Sequence, residues 1–248
     1  MFAGEYASSR IPRKMNSIHR LKLAAVLPGH RSLSGQGVVP LAKETPLAIG
    51  SKRLVFQHPF DHNLVIKVMR PEFSDKRLAT GLNRLWIARR YHYSATFVRE
   101  VREMVELRFE RSSYPSVVQR IIGFAETDLG LGMVSLAARD PDGDLAPTLN
   151  QMITGNAVDA EARQALQRFF DDVLESPIVV GDLHTGNIVY AYDEERGHHF
   201  VMIDGIGDKT LIPLLRLFPR LRDRSKRRKI QWIWARLDGL PRKGSKWW

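Results

Sequence analysis

Hydrophobic positions follow two different periods along this chain, and the period predicts which segments are strands and which are helices. A short apolar run at residues 54–57 is followed by another at 64–69, with polar and Pro-containing turn residues between them. This pattern predicts a β-hairpin. Residues 96–110 instead place apolar side chains at helical spacing among charged ones, which predicts an amphipathic helix.

The second half of the chain has the same kind of signals. Two strands are predicted at residues 118–124 and 131–136, around a turn at 127–130. A Pro- and Gly-containing break at 140–144 follows, which we interpret as a hinge between two lobes. A helix is predicted at 159–176, because Asp159 can cap its first turn and Pro177 stops it.

Composition and length restrict the class of protein. A chain of 248 residues fits one two-lobed domain with terminal extensions. The absence of Cys excludes disulfides and thiolate chemistry. Neither a run of about eighteen apolar residues nor a signal-peptide pattern occurs, so we expect a cytoplasmic protein that does not span a membrane.

The net charge of +11 is concentrated at the two ends. Residues 1–40 carry six basic and one acidic side chain, and residues 216–248 carry twelve basic and two acidic ones, whereas residues 41–215 have a net charge of −4. Low hydrophobic periodicity predicts a disordered N-terminal extension over 1–40. Residues 41–215 are then predicted to form the two-lobed domain, with lobes at about 41–137 and 145–215. Residues 216–248 are predicted to form a basic helical tail.

The strongest candidate for chemistry is the segment 178–188, in which Asp182 and Asn187 lie five residues apart between two apolar runs. Asp204, followed by Gly205, comes seventeen residues after Asn187 at the end of another apolar run. Phosphoryl transfer needs one carboxylate to orient or deprotonate the acceptor hydroxyl, and oxygen ligands to hold Mg²⁺. Each motif alone is also a common turn former, so the prediction depends on their order and spacing.

Together these motifs resemble the catalytic and metal-binding segments of the protein-kinase-like superfamily. The variant Gly-Asp-Leu-His-x-Gly-Asn is closer to small-molecule phosphotransferases, such as aminoglycoside and choline kinases, than to signalling kinases. Within that superfamily, residues 47–213 look most like the YrbL-type family of the PhoP regulatory network. The matching stretches are IGSKRLVFQHP at 49–59, VIKV at 65–68, VGDLH at 180–184 and IDG at 203–205.

This resemblance implies an α+β fold with a small antiparallel-sheet N-terminal lobe and a reduced, mainly helical C-terminal lobe. It also implies ATP and Mg²⁺ as cofactors, with a catalytic Asp182, metal ligands Asn187 and Asp204, and nucleotide contacts from Gly50 and Lys67. Lys67 would pair with a glutamate of the 96–110 helix. We favour Glu100 for this pairing; Glu103 and Glu106 are competitors.

The resemblance leaves other functions open. Only Gly50 stands where protein kinases have a Gly-rich loop, which favours a pseudokinase with weak or no catalysis as the alternative. Gly181 precedes Asp182 where a protein kinase has Arg. His184 is predicted either to contact a phosphate or to hold the loop by a hydrogen bond. The acceptor is expected to be a small molecule or a component of the cell envelope.

The C-terminal segment 216–248 combines twelve basic residues with four of the five Trp residues of the chain. A basic helix with Trp on another face is typical of a segment that lies on an anionic membrane, here at its inner face. Nucleic acid is a less favoured partner for the same charge. The remaining alternative is that the Trp face packs on the catalytic domain.

Overall fold

A five-stranded antiparallel sheet forms the N-terminal lobe. The computed structural model describes residues 37–70, 95–110, 115–208 and 214–240. In sheet order β1-β2-β3-β5-β4, the strands are β1 (Ala48–Ile49), β2 (Arg53–Gln57), β3 (Leu64–Met69), β4 (Ile121–Thr127) and β5 (Gly130–Leu136). The predicted hairpin of β2 and β3 is confirmed, with Val55 opposite Lys67.

Alternation along the central strand β3 separates the two faces of the sheet. Leu64, Ile66 and Val68 are buried in an apolar cluster with Phe56 and Val134. Because successive side chains of a strand point to opposite faces, Lys67 lies on the other face. That face is covered by helix α1 (Ala95–Glu110), in agreement with the predicted helix at 96–110.

Helix α1 joins the two lobes. Near its start, Phe97 is buried and packs edge-on against Phe124 of the sheet. Its later apolar residues, Met104 and Leu107, instead belong to the core of the C-terminal lobe. Charged side chains of α1 at positions 100 and 103 are therefore held between the lobes.

The C-terminal lobe is mainly helical. Its elements are α2 (Leu149–Thr154), α3 (Ala160–Glu175), the hairpin β6 (Ile188–Asp193) and β7 (Gly197–Met202), α4 (Leu214–Leu217) and α5 (Pro219–Leu237). Helix α3 begins where predicted, since the carboxylate of Asp159 accepts the N–H of Ala162, and it ends before Pro177. Its buried face, which includes Leu166 and Phe170, lies at the centre of the lobe.

Helix α5 completes this core rather than forming a separate tail. Ile230 and Ile233 are buried in the same cluster as α3, and Trp234 packs edge-on against Phe170. The alternative in which the Trp face packs on the catalytic domain is therefore the one observed for Trp234. Among the helices that the structure describes, none is long and apolar enough to cross a membrane.

Some predicted boundaries differ from the observed ones. Strand β4 starts at Ile121 rather than at 118, because residues 117–119 pair with Met202 of β7 instead. The predicted turn residue Thr127 belongs to β4, and Val39, predicted in the disordered extension, is hydrogen-bonded to Glu126. Residues 1–36 of that extension and residues 75–93 lie outside the described residues.

The fold class predicted from the resemblance is confirmed. An antiparallel sheet with one helix across its face is followed by a hinge and a mainly helical lobe, which is the expected two-lobed α+β architecture. The hinge includes the predicted turn, where the Asp140 carboxylate accepts the N–H groups of Asp142 and Asp144. The two lobes meet at the segment that contains Asp182 and Asp204.

Candidate active site

The loop 178–188 and the segment around Asp204 are directly hydrogen-bonded to each other. The N–H of Asp182 donates to the carbonyl of Gly205 at 2.8 Å, and the N–H of Ile203 donates to the carbonyl of Asn187 at 2.9 Å. Val180 and Ile206 also form an antiparallel pair. Two motifs that are separated by seventeen residues in sequence thus form one site.

Asn187 has a defined orientation within this site. Its side-chain N–H donates to the backbone carbonyl of Asp182 at 2.9 Å. The amide nitrogen is therefore committed to the loop, so the side-chain oxygen of Asn187 is the atom that a metal ion would bind. This is the division of roles that an Asp-x₄-Asn loop requires.

Gly205 makes the close approach of the two segments possible. Its φ of +88° is unfavourable for residues with a side chain. A Cβ atom at this position would lie only 2.7 Å from both Cβ and the carbonyl oxygen of Asp182, and 2.9 Å from Nδ2 of Asn187. Only glycine fits between the two motifs.

Lys67 is buried on the inner face of the sheet, but its hydrogen bonds differ from the prediction. Its ammonium donates to the side-chain oxygen of Gln119 and, at 2.7 Å, to the backbone carbonyl of Ile203. Ile203 immediately precedes Asp204, so Lys67 connects the sheet to the segment that contains Asp204. Burial lowers the pKa of Lys67 below its ordinary value of 10.5, although the charge of Glu100 opposes this effect.

The predicted ion pair between Lys67 and Glu100 is wrong for this structure. The carboxylate of Glu100 is instead held by both terminal nitrogens of Arg53, at 2.5 and 3.1 Å. Arg53 and Lys67 lie on the same face of adjacent strands, so both point toward α1. The guanidinium of Arg53 binds Glu100 better than the ammonium of Lys67 would, because its planar fork can donate to both carboxylate oxygens at once.

Arg53 also lies close to the proposed metal ligand. One of its nitrogens is 3.6 Å from Oδ1 of Asp204, and its guanidinium carbon is 4.7 Å from the centre of the Phe97 ring. Burial alone would raise the pKa of Asp204, but the charge of Arg53 and a hydrogen bond with Glu100 hold it below 3.8. Asp204 is thus ionised at neutral pH.

Burial has the opposite outcome at Glu100. Removal from water raises the pKa of Glu100 above its ordinary 4.5, and the nearby carboxylate of Asp204 adds to the effect, while Arg53 opposes it. Arg53, Glu100 and Asp204 therefore form one interacting charge cluster. A small cavity beside this cluster is lined by Lys67, Glu100, Gln119, Ser135 and Asp204, among others.

The two remaining predicted nucleotide contacts occupy different places. Gly50 lies in the exposed turn between β1 and β2, where its N–H donates to the carbonyl of Arg53 at 2.8 Å. His184 lies in the loop 178–188, where its Nδ1 accepts the N–H of Gly186 at 3.1 Å. Of the two roles considered for His184, the structure shows the loop-holding hydrogen bond.

Glu103, a competitor in the sequence analysis, has a different role from Glu100. It is buried, and its carboxylate accepts the N–H of Val179, at the start of the loop 178–188, at 2.7 Å. It also forms an ion pair with Arg216 of α4 at 3.4 Å. Helix α1 therefore contacts both motifs of the site.

Basic residues of α5 hold the same loop from the other side. Lys229 donates to the carbonyls of Val180 and Gly181, the two residues before Asp182. Lys226 is buried and donates to the carbonyls of Val173 and Ser176, at the C-terminal end of α3. These carbonyls have no partner within their own helix, so a cation is well placed there.

Sequence reasoning missed Arg53, Gln119, Lys226 and Lys229. Arg53 could have been found from the alternation of strand β2. It lies two residues from Val55, which pairs with Lys67, so Arg53 and Lys67 are on the same face of the sheet. Nothing in the local pattern indicated that a basic helix would supply hydrogen bonds to α3 and the catalytic loop.

The side chains present are compatible with a nucleotide-bound magnesium ion. Mg²⁺ is usually bound through one or two protein oxygens together with phosphates and water. Asn187 and Asp204 supply these hard oxygen donors. Within the described ranges, no cluster of three or more His, Asp or Glu side chains could hold a metal ion by itself.

Two curated relatives and two solved structures are similar to this chain. The uncharacterized proteins YrbL of Escherichia coli (strain K12) and of Shigella flexneri are each 28% identical over 182 residues, covering 71% of this chain and 77% of the relative. Rad53 in complex with AMP-PNP aligns at 15% identity with a TM-score of 0.44, over 82% of this chain and 49% of Rad53.

The second solved structure is WbdD with the kinase inhibitor LY294002, at 13% identity and a TM-score of 0.41, over 80% of this chain and 47% of WbdD. The chain thus spans about half the length of both solved chains. The sequence pattern of the family described as PhoP regulatory network protein YrbL matches residues 39–238, which is most of the chain. The protein is therefore a member of the YrbL family of PhoP regulatory network proteins.

Proposed function

We propose that the protein is an ATP- and Mg²⁺-dependent phosphotransferase that acts on a hydroxyl group of a small molecule or a cell-envelope component. The observation that carries the proposal is the direct contact of the two motifs through Gly205. A turn residue at either position would not need the other motif beside it. A catalytic carboxylate and a metal ligand do need this proximity.

Each side chain has a definite task in this proposal. Asp182 orients the acceptor hydroxyl and takes its proton as the acceptor oxygen bonds to the γ-phosphorus of ATP. The bond from that phosphorus to the bridging oxygen breaks, and ADP leaves with the bond's electron pair. Asn187 and Asp204 would hold Mg²⁺, which would neutralise phosphate charge.

One observation favours a second candidate, a pseudokinase with weak or no catalysis. Arg53 forms an ion pair with Glu100 and lies beside Asp204. Its positive charge therefore competes with a metal ion for the carboxylate of Asp204. Lys67 is meanwhile hydrogen-bonded to Gln119 and Ile203. Catalysis requires at least part of this cluster to exchange its partners when nucleotide binds.

Nucleotide binding is tested by thermal unfolding with and without millimolar Mg²⁺·ATP. A ligand that binds only the folded state stabilises it by about 2.7 kcal/mol at a hundredfold excess over Kd. We expect the wild type to show this shift and Asp204→Ala to lose its Mg²⁺-dependent part.

Asp142→Ala is the matched control, because Asp142 also precedes a glycine but lies in an exposed turn. It should retain the full shift. An unchanged wild-type melting temperature would contradict the phosphotransferase proposal and would favour a pseudokinase that binds no nucleotide.

Catalysis is tested separately by Asp182→Asn. This variant keeps the size of the side chain but cannot accept a proton, so phosphoryl transfer or background ATP hydrolysis should fall by at least about 10²-fold. The shift with Mg²⁺·ATP should remain. If wild type and variant bind nucleotide equally and neither turns it over, the pseudokinase candidate is the correct one.

A further inference from the structure

A group of exposed apolar side chains lies where α4 meets α5. Leu214, Leu217, Phe218 and Leu221 have exposed fractions between 42% and 60%. Leu214 and Leu217 lie one turn apart on α4, and Phe218 and Leu221 lie one turn apart at the start of α5, which follows directly. Single exposed apolar residues are ordinary on a protein surface, but a group of large ones rimmed by polar residues indicates an interaction site.

The exposed side of α5 next to this group is basic. Arg220, Arg224 and Arg227 are all exposed and follow one another at intervals of four and three residues. They are on the opposite side of the helix from Lys226 and Ile233, which pack on α3. We refer to the four apolar residues and these three arginines as the Leu–Arg face.

Acidic groups do not neutralise the Leu–Arg face from within its own helix. The single acidic residue in the sequence of α5 is Asp223, which pairs with Arg222 at 3.1 Å. The basic residues that serve the fold, Lys226 and Lys229, are distinct from those that point outward. The outward-pointing arginines are therefore available to a negatively charged partner.

We propose that the Leu–Arg face binds the surface of an anionic lipid bilayer. Lipid phosphates complement the arginines, while Leu217 and Phe218 enter the boundary between headgroups and acyl chains. Nucleic acid would use the arginines equally well but offers no partner for three exposed leucines. The apolar part of the face therefore distinguishes a bilayer from a nucleic acid.

This assignment moves the membrane contact away from the tryptophans. Trp232 is partly buried, and Trp234 packs edge-on against Phe170 of α3, with Arg163 6.0 Å from the centre of its ring. Sequence composition had suggested these residues as the inserted ones. The structure instead presents the first turn of α5 and the preceding α4 to the outside.

The test measures binding of the full chain to vesicles by co-sedimentation. Vesicles of phosphatidylglycerol and phosphatidylcholine in equal amounts are compared with pure phosphatidylcholine. We expect the wild type to bind the anionic vesicles at least about tenfold more tightly, and binding to weaken with added salt.

Two variants separate the parts of the face. Leu217→Ser/Phe218→Ser removes apolar surface, and Ser is well suited to the N-cap position of Phe218, so the fold is retained. Arg220→Gln/Arg224→Gln/Arg227→Gln removes three charges. Each variant should lose at least about tenfold in affinity for anionic vesicles.

Matched controls lie on other surfaces. Phe60→Ser/Leu131→Ser removes two large exposed apolar side chains from the N-terminal lobe, and Lys43→Gln/Arg102→Gln/Arg196→Gln removes the same number of charges. Both controls should bind like the wild type.

The proposal is overturned if the wild type does not bind anionic vesicles, or if the controls lose as much affinity as the variants. It is also overturned if only the arginine variant loses affinity, since charge alone is then responsible. Binding of duplex DNA without binding of vesicles would identify a nucleic acid as the partner instead.

Discussion

Gly205 illustrates how a single residue can determine whether two motifs form one site. Its backbone has a φ of +88°, and the nearest atoms to a Cβ at this position belong to Asp182 and Asn187. Gly143 has the same φ of +88°, but a Cβ there would meet no atom within 4 Å. A side chain would therefore cause the same backbone strain at both positions, but it would be crowded only at Gly205.

We therefore expect Gly205→Ala to lower the free energy of unfolding by more than Gly143→Ala does. Backbone strain costs about 1–2 kcal/mol in both variants, whereas crowding adds a further cost only at Gly205. Urea denaturation measures the difference. Equal losses would show that the contact between the two motifs is looser than the structure indicates.

The buried pair of Arg53 and Glu100 leads to a second prediction at this scale. Arg53→Met should cost about 3–5 kcal/mol, because it leaves the buried carboxylate of Glu100 without its cation. Adding Glu100→Met removes that uncompensated charge, so the double variant should recover much of the loss. If the two losses instead add in urea denaturation, the two groups do not act as a pair.

At the scale of elements, α5 is unusual because its basic residues serve two faces. One face carries the arginines that point outward, and the other provides hydrogen bonds to backbone carbonyls of α3 and the loop 178–188. A run of Lys and Arg is ordinarily a solvated surface. Here part of it completes the C-terminal end of a neighbouring helix.

Lys226→Met should lower the free energy of unfolding by about 1–3 kcal/mol, since the buried carbonyls of Val173 and Ser176 lose their donor. Arg227→Met is the matched control, because the adjacent Arg227 is exposed and its replacement should stay within about 0.5 kcal/mol. Thermal or urea unfolding distinguishes them. Similar effects in the two variants would refute the structural role of Lys226.

The pH dependence of stability offers a further test of Lys226. Burial lowers its pKa from 10.5 to about 8 in the folded protein, so the unfolded chain binds more protons between these two values. This group's contribution to stability must therefore increase as pH rises from about 8 to 10.5. The neutral amine still has two N–H donors for its two carbonyls.

The wild type should gain stability relative to Lys226→Met across that range, with Arg227→Met behaving like the wild type. Urea denaturation at several pH values provides the comparison. A constant difference between wild type and Lys226→Met would mean that the pKa of Lys226 is the same in both states.

At the scale of the whole molecule, the C-terminal helix belongs to the folded domain. Ile230 and Ile233 are buried together with α3, and an exposed ion pair between Arg163 and Asp238 joins the two helices at 2.9 Å. Removing α5 would expose the core of the C-terminal lobe and leave several carbonyls without donors.

A chain ending at residue 215 should therefore lose its cooperative thermal unfolding transition. A chain ending at residue 240 keeps α5 and is the control, and it should unfold cooperatively. Calorimetry or circular dichroism distinguishes them. Normal cooperative unfolding of the shorter chain would mean that 41–215 is a complete domain and that the basic segment is an appendage.

Sequence alone determined the elements and motifs whose causes are local. Helix α3 was predicted to within one residue at each end, because Asp159 caps it and Pro177 prevents its continuation. The order and spacing of Asp182, Asn187 and Asp204 were also visible in the sequence. These signals depend on neighbouring residues, and so they can be found without coordinates.

Only the tertiary structure decided the partners of the charged side chains. Arg53 and Lys67 lie on the same face of neighbouring strands. Which of them pairs with Glu100 depends on the distance from each side chain to helix α1. The basic residues of α5 divided in the same way between the solvent and the carbonyls of α3. Such choices depend on distances between segments that are remote in sequence, because a charge is stabilised by whatever lies within a few ångströms of it.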